Sequence, residues 1–277
     1  MKKWLVRGLG PILLLLALAE ACVAQLTTPP FAPDSAKLER AELSEVLGLL
    51  CPGQEVIGAV SGCRVCPAAS ARAGARGDAS ILSAVRGHFL KPDSDDLLMD
   101  LNGCGAVLLT HSSSGWFVDP ARDLPDGVCR KVPRLNRRDG LVCYSAIVTQ
   151  DEEKARLDFY DLAAAQKTEL LSAFDNTGGA CDAPKRVVAQ SAIQEARFVS
   201  GAGGKLSLAI TARCRRGPLS PRSRTACARG PGFEDIGPVA PFRTFRLTYL
   251  FNGEAFSLTT ASTAAKRAYD ACRAEVP

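Results

Sequence analysis

Histidine is nearly missing from this chain, with two in 277 residues, and aromatic side chains make up only 6% of it. Few histidines leave few routes to nucleophilic catalysis, because a Ser–His–Asp arrangement needs an imidazole held between nucleophile and acid. His111 stands beside three serines in THSSSGW, but sequence neighbours at a strand end do not face one another, and no G-x-S-x-G elbow occurs. His88 reads as a hydrogen-bonded histidine at a strand edge. A P-loop, a Rossmann fingerprint and an H-E-x-x-H motif are all lacking, so no cofactor or catalytic metal is expected. Sparse aromatics give single-stranded nucleic acid little to stack on, and a formal net charge of +5 is too mild to suggest a nucleic-acid partner. Glycan binding usually leans on exposed tryptophan, and Trp116 is the only one after Trp4. Beyond the first two dozen residues no apolar run approaches the length of a membrane span.

The first residues, MKKWLVRGLGPILLLLALAEACVAQL, have the order of a secretory signal. Lys2, Lys3 and Arg7 precede an apolar run from Leu9 to Ala19, and small residues follow with cleavage sites before Cys22 or after Ala24. ALAEAC partly resembles the lipobox of bacterial lipoproteins, which are acylated on the cysteine after cleavage. Glu20 and Ala19 depart from that pattern, so ordinary cleavage is expected, with a membrane tether only if Cys22 is lipidated. The chain is then periplasmic or secreted.

Eleven cysteines are present, and either processing route leaves ten: Cys51, Cys63, Cys66, Cys104, Cys129, Cys143, Cys181, Cys214, Cys227 and Cys272. An even number in an oxidising compartment reads as five disulfides. The stretch CPGQEVIGAVSGCRVCP holds three of them, two spaced C-x-x-C. A zinc ribbon needs two such knuckles and a thioredoxin-like centre needs a helix after the pair. Here Pro67 and the loop-like AASARAGARGDAS follow, so structural disulfides are expected and metal is not.

The domain reading is a signal over 1–24, a Pro-rich spacer over 25–34, a helix plus Cys-rich loop over 35–80, and a mainly β domain with a closing helix over 81–277. Leu38, Leu43, Val46, Leu47 and Leu50 form a helical stripe that Ser35 is placed to cap. Short apolar strands follow at 97–101, 106–110 and 115–119, then a pair around Asp139-Gly140, a half-buried strand in ARLDFYDL, and a hairpin around the glycines at 201–204. Asn252-Gly253 predicts a type I′ hairpin turn, and a helix is expected from Thr263 to Arg273. The fold class is therefore mainly β and antiparallel, propeller-like or sandwich, with an N-terminal and a C-terminal helix and disulfide stabilisation.

The segment VRGHFLKPDSDDLLMDLNGCGAVLLTHSSSGW resembles an FG-GAP blade of integrin-like β-propellers, with its Gly-x-Phe-like entry, aspartate loop, short apolar strand and Gly-aromatic turn. The resemblance implies a propeller blade over about thirty residues. Family blades hold calcium through D-x-D-x-D-G; Asp93 and Asp95 match, but Leu97 stands at the third ligand position, so an acidic turn without metal is expected.

Two polar clusters remain. Asp93, Asp95, Asp96 and Asp100, with Glu152, Glu153 and Asp158 next, could supply the paired carboxylates of a hydrolase. RCRRGPLSPRSRTACARGPG holds Arg213, Arg215, Arg216, Arg222, Arg224 and Arg229 in what reads as a loop closed by Cys214 and Cys227, a candidate anion site. The expectation is an exported, non-catalytic binding protein of the bacterial envelope, its partner an unknown protein or an anionic ligand. The alternative is an exported hydrolase using the carboxylates around Asp93 to Asp100.

Overall fold

Two antiparallel meanders account for most of the chain in the computed structural model, which describes residues 29–52, 62–70, 73–74, 76–120, 123–148, 153–177, 181, 187–201, 205–229 and 237–274. The expected mainly β architecture with a helix near each end is what the chain adopts. The signal and Cys22 lie outside the described residues, as do Glu152 and the glycine loop at 202–204. Among the described residues no helix is long and apolar enough to cross a membrane.

Helix α1 (Arg40–Leu50) leads into a five-stranded sheet of β1 (Gly62–Val65), β2 (Arg76–Gly87), β3 (Asp95–Leu101), β4 (Gly105–Ser112) and β5 (Gly115–Asp119), paired in that order. The expected boundary at residues 80 and 81 falls inside β2, so the Cys-rich stretch and this sheet are one unit. Ser35 does not cap the helix; Glu39 occupies the N-cap. Tertiary bonds override the local signal, because Asp34 N–H donates to the Cys129 carbonyl (3.0 Å) and Ala36 N–H to that of Ala84 (2.7 Å), holding the lead extended. The apolar stripe is as expected: Val46, Leu47 and Leu50 are buried on the sheet, with Leu38 and Leu43 beside them.

β3 is buried along nearly its whole length, unlike a strand with one wet face. Alternation explains this. Leu97, Met99 and Leu101 face α1, while Leu98 packs with Leu108, Leu141, Cys143 and Tyr160 against the second sheet.

That sheet has eight strands in chain order: β6 (Val128–Pro133), β7 (Asp139–Val148), β8 (Glu153–Asp161), β9 (Gln166–Asp175), β10 (Val187–Ser200), β11 (Leu206–Pro218), β12 (Arg243–Phe251) and β13 (Phe256–Leu258). Helix α2 (Pro221–Arg229) follows β11, and α3 (Thr260–Arg273) closes the chain. β9 and β10 meet at a single register position, Asp175 opposite Gln190. Beyond it Ser191 Oγ replaces the ladder, accepting from Phe174 N–H and donating to the Phe174 carbonyl. The sheet therefore splits into two four-stranded leaves that fold over one core. Phe159 of β8 meets Phe251 and Phe256 of the other leaf at ring separations of 5.8 and 5.4 Å. The β9 carbonyls of Leu170 and Ser172 accept the hydroxyls of Tyr249 and Tyr269, which supply polar partners that β10 does not. Burial pushes both phenols up, Tyr269 to about 12, which keeps them protonated donors.

Several turns differ from expectation. The β6–β7 turn spans residues 134–138 with Arg137 at φ +61°, and Asp139 and Gly140 begin β7. A Cβ at Gly140 would run into the Phe159 ring, and the Asp139 carboxylate accepts His88 N–H (3.0 Å). Gly253 has φ +97° but Asn252 does not share a positive φ, so the last hairpin is not type I′. Asn252 instead accepts the N–H groups of Glu254 and Ala255 through its own Oδ1.

Five disulfides staple these parts. Cys51–Cys63 ties α1 to β1, Cys66–Cys104 ties the end of β1 to the β3–β4 turn, and Cys129–Cys143 joins directly opposed residues of β6 and β7. Cys214–Cys272 pins α3 to β11, and Cys181–Cys227 holds α2. The C-x-x-C pair is thus split between two bridges. The expected Cys214–Cys227 closure does not form: Cys214 faces the core from a strand, fully buried, and bonds Cys272 of α3 there.

Candidate functional site

The arginines singled out in the sequence do not share a loop. Arg213, Arg215 and Arg216 lie on β11, because that strand runs on to Pro218 opposite β10. Arg213 and Arg215 project from the face opposite buried Cys214, and both guanidinium groups stack on Phe242, at 4.4 and 4.5 Å from the ring centre. Arg215 Nε also donates to Gln190 Oε1 (2.5 Å), and Gln190 Nε2 to Asp175 (3.0 Å). Burial raises the Asp175 carboxyl above its ordinary value, against the pull of Thr177, Gln190 and the Arg215 charge. Arg216 donates to the Ala271 carbonyl (2.8 Å) in the last turn of α3, where a cation suits the helix dipole. On α2, Arg224 bonds the Leu219 carbonyl (3.1 Å), Arg222 is exposed, and Arg229 is the last residue. Arg213, Arg215, Arg216 and Arg224 are thus engaged by groups of the fold itself.

The carboxylates diverge as well. Asp93 pairs with Arg137 (2.7 Å) and Asp95 with Arg86 (3.4 Å). Asp96 is fully buried and accepts from Phe89 N–H, Leu90 N–H, Ser94 Oγ and Thr110 Oγ1 at 2.6–2.9 Å. Asp100, on the same face of β3, is four residues away, about 13 Å along a strand, beyond the spacing of paired glycosidase carboxylates. Burial, with the charge of Asp126, pushes Asp100 up to about 6. Asp158 is buried and pairs with Lys167 (3.0 Å), and Glu153 lies on β8. His88 meets the Ser94 carbonyl through Nδ1, and His111 lies against Trp116 at 5.0 Å between rings. Among the described residues no group of three or more His, Cys, Asp or Glu is placed to hold a metal ion.

A different cluster forms where the two leaves part. Val128 and Val132 of β6 face the core, so Arg130 between them faces inward too, toward the end of β10. There its guanidinium lies 4.6 Å from the Phe198 ring centre. Phe198 pairs with Leu208, and Ser200 with Leu206, so the inner faces of β10 and β11 end in Phe198 and Leu206 beside Phe251. The resulting groove has a volume of about 440 Å³, and Arg134, Lys205 and Leu135 complete its rim. A second, open cavity of about 670 Å³ lies across the Arg130–Phe198 stack, against Phe31 and residues 194–199 of β10.

The seam itself is closed by the end of the Pro-rich lead. Ala196 N–H donates to the Pro30 carbonyl (2.8 Å), and Phe31 is buried in the core, edge-on to Phe198 at 6.1 Å.

Charge at the groove is unevenly compensated. The Arg134 side chain is 7% exposed and pairs with Asp161, which Arg138 also approaches (3.5 Å). Burial raises the Asp161 carboxyl, but its hydrogen bonds from Arg134 and Ala164 N–H and the two arginine charges outweigh this and hold it below its ordinary value. Arg134 Nε is buried with no hydrogen-bond partner among the described residues. No described carboxylate pairs with Arg130 or Lys205. The sequence carried only a faint sign of this site: cations at 130, 131 and 134 in VCRKVPRL, and Lys205 opening the strand after the glycines. Seventy residues separate the two halves, and no local pattern joins them. Comparison with protein-family models and with curated proteins finds no match for this chain.

Proposed function

We propose that this chain is an exported, non-catalytic binding protein of the bacterial envelope, and that its anionic ligand sits in the groove between β6 and the ends of β10 and β11. The observation that carries the reading is Arg130 and Lys205, with no described carboxylate paired to either, facing an aromatic-lined groove of about 440 Å³. Small-molecule sites usually have volumes of about 300–1,000 Å³ with a few placed polar groups on apolar walls. Five disulfides support export to an oxidising compartment, periplasmic or secreted.

Titration calorimetry with inorganic phosphate, polyphosphate and simple carboxylates at low and high salt tests this, beside a turnover panel of glycosides, esters and peptides. Expected are binding that weakens with salt, its loss in the R130Q/K205Q double variant, and no turnover. Binding that the double variant leaves unchanged refutes the site, and turnover of any panel member refutes the non-catalytic reading.

A further inference from the structure

We infer that the ligand is an anionic amphiphile, a carboxylate or phosphate head carried on a single apolar chain. This rests on the groove being the binding site and goes on to name what it selects. Cations and an apolar wall line the groove together, with Arg130 lying on the Phe198 ring. Arg134 adds a guanidinium to the lining, its side chain 7% exposed and its charge shared with Asp161. Planar guanidinium groups also hold carboxylate and phosphate oxygens in a fork that lysine cannot offer. Arg130 and Lys205 add cations at the rim.

The apolar wall is the core itself, run out to the surface. Phe251 belongs to the main apolar cluster, with Phe159 edge-on and Phe256 tilted against it, and Phe198 and Leu206 continue that surface into the groove. Leu135 hangs over it, 78% exposed, held by its N–H on the Gly253 carbonyl (3.1 Å). An apolar side chain this exposed beside an apolar wall is what a hydrophobic ligand would cover. A small inorganic anion would leave the wall wet, whereas a chain lying on it is drawn by the same apolar burial that builds the core. At about 30 Å³ per heavy atom the groove holds roughly fifteen of them, the size of a medium-chain fatty acid.

Calorimetry with decanoate, 1-decanol and acetate separates head from tail, with inorganic phosphate and polyphosphate in parallel. Decanoate is expected to bind at least tenfold more tightly than decanol and than acetate. R134Q and R130Q should each cut that preference over decanol about tenfold, and Phe198→Ser should weaken decanoate and decanol together. Should R134Q fail to fold, as judged by circular dichroism, R130Q and Phe198→Ser carry the test. Equal binding of decanoate and decanol overturns the recognition of the head; equal binding of decanoate and acetate overturns that of the tail. Phosphate or polyphosphate binding through Arg130 and Lys205 without decanoate binding overturns the amphiphile and leaves the broader site standing. No binding of any anion overturns both.

Discussion

Replacing Asp100 by asparagine should make this protein more stable at neutral pH, although it removes a buried polar residue's charge. Asp100 is 8% exposed on β3, and burial first, then the charge of Asp126, raises its carboxyl from 3.8 to about 6 against one bond from Gly127 N–H. A carboxyl raised on folding binds its proton more tightly in the folded chain than in the unfolded one. Stability from this group is therefore untouched below the unfolded value, falls as pH rises through the window between 3.8 and about 6, and stays low above it. At 1.36 kcal/mol per unit, the charged form costs about 3 kcal/mol at pH 7. Asparagine keeps an oxygen for the Gly127 N–H and cannot ionise, so D100N should recover about 1–3 kcal/mol there and little near pH 4. Guanidinium unfolding of both proteins across this range is the assay. Burial raises Glu153 and Asp175 as well, so the difference between the two proteins, rather than either curve, reads Asp100. A D100N protein that is destabilised equally at both ends of the range would refute the reasoning.

Loss of the Cys214–Cys272 bridge, by alanine at both positions, should cost more than loss of Cys129–Cys143. The sequence separations are 58 and 14, which chain entropy converts to about 4 and about 3 kcal/mol, and melting temperatures of the two double variants should rank accordingly. Asp96→Ala should lower stability by about 3 kcal/mol or more, since it strands two N–H donors, that of Phe89 fully buried, and two hydroxyls at once. Asp95→Ala should be close to neutral because its ion pair is exposed. A denaturation series that ranks the two aspartates the other way would overturn the assignment of Asp96 as a structural hub.

Much of the fold was legible because local signals and tertiary packing agree there. Alternation in ARLDFYDL and the stripe on α1 both mark faces that the structure buries. Legibility failed where a distant partner decided the outcome. Ser35 is a fair cap by type, yet the carbonyls of Cys129 and Ala84 claim the backbone around it. The arginine-rich stretch read as loop from its Pro, Gly and Ser, but Ala212, Cys214 and Phe245 make its first part a core strand, and Arg213 and Arg215 are simply its outward positions. Period-two alternation of Arg213, Cys214 and Arg215 was the available sign. Disulfide pairing had no such sign, because Cys214 could meet Cys272 only once α3 was laid across β11.

The candidate site was illegible for a deeper reason, which also explains why it exists. A continuous eight-stranded ladder would have no mouth. This one is interrupted because Tyr249 and Tyr269 occupy the β9 carbonyls and Ser191 takes over the backbone of Phe174, so β10 is free to swing away after Gln190. Once it does, the chain must fill a seam between β6 and β10 that no strand pairing closes. Phe31 and the Pro30 carbonyl fill one part of it. The remainder is where Arg130, Arg134 and Lys205 gather over the ends of the aromatic core. Cations at such a place keep the open end of an apolar sandwich wet and discourage pairing with another sheet, a role natural β proteins often give to charged residues. That role explains exposed Lys205; Arg134 is buried instead, and its guanidinium is held by Asp161, an ion pair that ties the β6–β7 turn to the end of β8.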